Sequence, residues 1–109
     1  PGEVLRLALR HAMALFSAEG ADIALRRDEF LQVVAAEGSA RTLQGMFLPM
    51  NASVSGRAAR EGRPIIVNDA AEDADSYPPT RRLAAVRNCL VTPMLSDNEA
   101  IGVLSVINR

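Results

Sequence analysis

The sequence predicts an α+β domain of three layers, α/β/α, built around one antiparallel sheet. Three observations carry this. Two runs near the end, Asn88–Leu95 and Ala100–Asn108, are apolar at nearly every position and flank the polar turn Ser96-Asp97-Asn98-Glu99. A hairpin with two apolar faces needs cover on both. An earlier pair of β-like runs, residues 21–26 and 30–36, is broken only by Arg27-Asp28-Glu29. Segments of helical period, the longest over residues 3–17, supply the cover.

The first element is a helix. Val4, Leu5, Ala8, Leu9, Ala12, Met13, Leu15 and Phe16 recur at helical spacing, and Arg6 and Arg10 share a polar stripe near Glu3. Its apolar arc is wider than one buried face requires. Two readings stand: a helix packed deeply on its own domain, or one shared between the domain and a partner subunit. Glu19-Gly20 ends it, with Gly20 as a left-handed cap. The first hairpin follows. Residues 41–50 hold Gly45 and Pro49 and read as an irregular connection. Asn51 caps a helix over Ala52–Glu61, Gly62 closes it, and Pro64 leads into the strand Ile65-Ile66-Val67. Residues 70–79 are loop-like, and Glu72-Asp73-Ala74-Asp75 reads as a solvated loop. Thr80 caps a short helix through Val86.

Composition bounds the function. A chain of 109 residues with 49% hydrophobic and 23% charged residues makes one domain, not two. The net charge is −1, and all twelve basic residues are Arg, so the electrostatic footprint of a nucleic-acid binder is missing. A single Cys excludes an internal disulfide and any Cys-based metal cage. No apolar run is long enough for a membrane span. Glu3, Arg6 and Arg10 interrupt the N-terminal apolar stretch, against a signal peptide. A cytoplasmic location without membrane contact is therefore expected. The start at Pro1 and the stop just after a strand lead to the expectation of a piece of a longer protein.

Several blocks taken in order resemble the GAF domain family of small sensory modules. They are Leu48-Pro49, the stretch from Ser55-Gly56-Arg57 to Gly62-Arg63-Pro64-Ile65-Ile66-Val67-Asn68-Asp69, the strand Cys89-Leu90-Val91-Thr92-Pro93-Met94-Leu95, and Ile101-Gly102-Val103-Leu104-Ser105-Val106-Ile107-Asn108. The resemblance covers nearly the whole chain. One departure is Asn51-Ala52-Ser53, where the family often has a Gly-rich helix entry. The likeness implies a five-stranded antiparallel sheet of order 2-1-5-4-3, strands numbered along the chain. It implies helices 3–17 and 52–61 on one face and segment 70–87 over the other, with a small ligand under that second cover. Gly56 would let its helix approach a surface closely. Pro93 would need an edge, bulge or unpaired position, and Gly102 would leave room for a neighbour.

The resemblance implies a non-enzymatic sensory domain of a bacterial signal-transduction protein, such as a two-component histidine kinase, a cyclic-dinucleotide enzyme or a transcriptional activator. A homodimer through the helix at Val4–Phe16 is expected, and the alternative is a dimerisation module without a ligand. No cofactor or metal is expected. His11 is the only His and has no second imidazole. A reductase on this fold needs paired cysteines. Bilin-bearing members place His directly after the Cys, where this chain has Leu90. The nucleotide-binding signature includes Lys, which this chain lacks. The pocket candidates are Asp69, Tyr77, Arg81, Arg87 and Cys89, with Arg82 nearby. Arg87 is placed to hold an anion, Tyr77 is a lid aromatic, and Cys89 is a buried, inert thiol. The other reading fills the pocket with Met and Leu side chains.

Overall fold

Six antiparallel strands form one sheet in the computed structural model, which describes residues 2–109. The chain runs α1 (Gly2–Phe16), β1 (Gly20–Arg27), β2 (Phe30–Gly38), a 3-10 helix (Ser39–Leu43), β3 (Phe47–Pro49), α2 (Val54–Glu61), β4 (Ile65–Val67), a 3-10 turn (Ala70–Glu72), α3 (Pro78–Ala84), β5 (Cys89–Ser96) and β6 (Glu99–Ile107). The sheet order is β3-β2-β1-β6-β5-β4. The five expected strands keep their expected order, and β3 adds an edge. Its three residues pair with the start of β2, Leu31 facing Leu48, and Phe47 meets the Phe30 ring edge-on at 6.1 Å. The segment read as irregular because Pro49 and a three-residue length hide any alternation, and an edge position tolerates the missing proline N–H.

Two apolar layers lie on opposite faces of the sheet. On one, Leu9 of α1, flanked by Leu5, Ala12, Met13 and Phe16, packs on Ala21, Ile23, Ala35 and Val106. On the other, Val54, Ala58 and Ala59 of α2 and Ala84 of α3 pack with Val33, Val91, Val103 and Ile107. This corrects the expected layering. α2 does not share a face with α1; it lies with segment 70–87 on the opposite face of the sheet. α1 fills its own face, and the chain must travel from β3 at one edge to β4 at the other, so it crosses the free face. Gly56 permits the crossing, because a Cβ there would overlap the Met50 carbonyl.

Element ends shift by the local chemistry. Ser53, not Asn51, caps α2: its Oγ accepts from Gly56 N at 2.9 Å and donates to the Pro49 carbonyl at 2.7 Å. Gly62 closes α2 at φ 66°, as expected. Ser17 takes the left-handed turn after α1 at φ 53°, whereas Gly20 opens β1. α3 starts at Pro78, whose fixed φ suits a first helical residue, so Thr80 lies inside the helix and caps nothing. Pro93 lies beyond the three-residue pairing with β4, where β5 has β6 on one side only.

Candidate functional site

The face under α2 and α3 holds a cavity of about 60 Å³, where a water molecule requires roughly 10–15 Å³. Its floor is the centre of the sheet. Asp22 of β1 faces Ser105 of β6, which faces Val91 of β5; Ile107 and Cys89 form the adjoining row. These positions share a face because alternate strand residues point the same way. Ser53, Val54 and Ser55 at the start of α2 form one wall, with Leu43 and Leu48 beside them. Tyr77, Thr80, Arg81 and Val86 form the roof.

The roof is tied down at several points. Arg57 of α2 reaches Asp73 at 3.1 Å and Asp75 at 3.0 Å. Thr42 donates to the Leu83 carbonyl at 2.8 Å. Asn108 clamps the far end: its Oδ1 accepts from Arg87 N at 2.7 Å, and its Nδ2 donates to the Ala85 carbonyl at 3.1 Å.

The floor carries the electrostatic anomaly. Asp22 is 4% exposed and Ser105 is 3% exposed, and neither Asp22 Oδ1 nor Ser105 Oγ has a hydrogen-bond partner. Burial pushes the Asp22 carboxyl up to about 7. Burial, reinforced by the charge of Asp22, pushes the Cys89 thiol up to about 12. Buried polar groups are ordinarily paired, so two orphaned ones side by side on a cavity floor mark the place a ligand's polar atoms would occupy.

Of the residues singled out from the sequence, Tyr77, Arg81 and Cys89 come together around this cavity. Asp69 lies outside the lining; it is exposed and caps the 3-10 turn, accepting from Ala71 N at 3.1 Å. Arg87 is also exposed, and its side chain pairs with Glu19 at 3.2 Å. Arg82 is exposed on α3. Asp22 and Ser105 were not anticipated. A signal existed for each: an acidic residue mid-strand, and one hydroxyl in an otherwise apolar closing strand. Among the described residues, no group of three or more His, Cys, Asp and Glu side chains is arranged to hold a metal ion. No helix there is long and apolar enough to cross a membrane.

The architecture has known counterparts. The GAF domain of a phosphoenolpyruvate-protein phosphotransferase from Coxiella burnetii superposes with a TM-score of 0.84 at 18% identity, over 98% of this chain and 66% of that one. The free methionine-R-sulfoxide reductase of Neisseria meningitidis, solved with its substrate, gives 0.80 at 22% identity, over 95% and 60%. The GAF-B domain of DevS from Mycobacterium smegmatis gives 0.75 at 22% identity, over 97% and 72%. The chain thus spans less than two thirds of the length of the first two. At these identities the likeness is one of fold. No curated protein sequence is similar enough to match the chain. The family profile described as GAF domain matches residues 1–109. GAF domains are in general sensory and regulatory modules, and this chain belongs to the GAF domain family.

Proposed function

We propose that this domain is a non-enzymatic sensor that binds a small molecule in the cavity under α3 and passes the change to a longer bacterial signalling protein. The observation that supports this most is the orphaned pair Asp22 and Ser105 on the floor of an otherwise apolar hollow. Binding there would bias the roof between a closed and a looser arrangement, and differential affinity for the two is the signal. The outer face of α1 is the proposed route to a homodimer. Val4 is 68% exposed and Leu15 80% exposed, with Leu7 beside them on the solvent side. A histidine kinase of a two-component system remains the proposed parent. Two features favour binding over catalysis. His11 is exposed on α1, on the face away from the cavity, and Cys89 is held as a thiol, the form that is a poor nucleophile.

The second reading, a dimerisation module without ligand, draws on the same exposed residues of α1. Native mass spectrometry combined with a thermal-shift screen of metabolites separates the two. Sensing predicts reproducible stabilisation by at least one compound, lost when the roof residue Thr80 is replaced by Trp. A dimer with no ligand response across the screen favours the dimerisation module.

A further inference from the structure

Asp22 is a buried carboxylate without a cation. The ion pairs of the described residues join Glu37 to Arg6, Arg10 and Arg41, Arg57 to Asp73 and Asp75, Arg63 to Glu61, and Arg87 to Glu19; none includes Asp22. Arg81, the basic residue in the cavity lining, reaches Ser76 instead, Nη1 donating to Oγ at 3.4 Å. Burial alone favours the protonated acid, so it is above about pH 7, where the proton leaves, that the unpaired carboxylate sets the sign of what complements it.

The neighbouring groups refine the choice. Ser105 offers a hydroxyl that can accept from a donor directed at Asp22. Leu43, Leu48, Val54, Val91 and Ile107 leave the rest of the hollow apolar. Its volume, about 60 Å³, suits a body of a few heavy atoms. An anion seated on this floor would meet the Asp22 carboxyl, and a neutral alcohol would leave it uncompensated. We propose that the cavity takes a compact organic cation, a protonated amine or amidine on a short apolar body, with its charged end on Asp22 and Ser105. This deepens the sensing assignment and rests on the cavity being a ligand site.

The test is an amide NMR titration of the full chain at pH 8 with three probes of similar length: butylamine, butanol and butyrate. Butylamine is expected to shift the Asp22 and Ser105 signals with an affinity at least about tenfold above butanol, with butyrate weakest. D22N keeps the shape and loses about tenfold of the amine's affinity, and S105A loses roughly threefold. A melting curve without probe establishes that each variant is folded. If butanol or butyrate matches butylamine, or D22N keeps the amine's affinity, the cationic ligand is overturned. The cavity still stands as a ligand site in that case, provided T80W abolishes the binding. If no probe shifts the floor signals, the cationic ligand falls, and a metabolite screen without a response takes the ligand site with it; if T80W binds as well as the natural chain, both fall.

Discussion

Two carboxylates are buried on adjacent strands of this sheet, and the protein treats them in opposite ways. Glu37 of β2 lies on the α1 face and meets Arg41 at 3.3 Å, Arg10 at 3.6 Å and Arg6 at 4.0 Å. Asp22 of β1 lies on the cavity face with Oδ1 unmatched. Both are 4% exposed. Burial therefore does not distinguish them; compensation does. The cations around Glu37 come from α1 and the 3-10 helix, so the pairing fastens three elements together. The cavity side has no such partner because the elements above it, α2 and α3, spend their nearest arginines elsewhere, Arg57 on Asp73 and Asp75 and Arg81 on Ser76. A carboxylate inside a network is part of the frame, whereas one left alone beside a hollow is available to something that arrives.

The widest separation between the two comes from pH. The folded-state pKa of Asp22, about 7, lies above its ordinary value of 3.8. The folded chain thus holds a proton that the unfolded chain releases between roughly pH 4 and 7, and stability falls as pH rises through that window. D22N removes this loss. Urea unfolding at pH 8 should show the variant more stable by roughly 2–4 kcal/mol, with a flatter profile from pH 4 to 7. A less stable D22N would mean that Asp22 has a structural partner.

E37Q should move the other way and by less, destabilising by about 1–2 kcal/mol at pH 7. The three arginines are 39–68% exposed, so water takes over much of their solvation when the charge is lost. High salt should narrow the difference between E37Q and the natural chain. S105A gives the smallest effect: removal of an orphaned buried hydroxyl should leave stability unchanged or raise it by up to about 1 kcal/mol. A loss of 2 kcal/mol or more in chemical denaturation would place Ser105 with Glu37, among the structural polar groups.

The legible and hidden parts of the molecule divide along the same line. The strands of the last hairpin were readable because each residue's character reports its own burial, as with Val91, Val103 and Val106. The order of five strands came from the family resemblance that the ordered blocks carry, since no single strand names its neighbour. The face chosen by α2 was not readable, since Val54, Ala58 and Ala59 state that one side is buried without naming the surface that buries it. Competing caps hid in the same way: Asn51 and Ser53 both qualify, and it is Ser53 whose Oγ accepts from Gly56 N while donating to the Pro49 carbonyl. The floor of the cavity joins Asp22 to Ser105 through strand pairing between distant parts of the chain. Asp73 and Asp75 looked like solvated loop residues because Arg57, their partner, sits on another element.

Asn108 sets how the cavity roof can move. Its backbone N–H donates to the Asn88 carbonyl at 2.9 Å while its side chain holds Ala85 and Arg87, so the segment after α3 is fixed to the end of β6. The opposite end, around Asp73 and Asp75, is held by Arg57 through side chains that water can reach. One root is a pin and the other a latch. An opening of α3 would pivot about Ala85 and break the Thr42–Leu83 contact, and ionic strength would loosen the latch before it touched the pin.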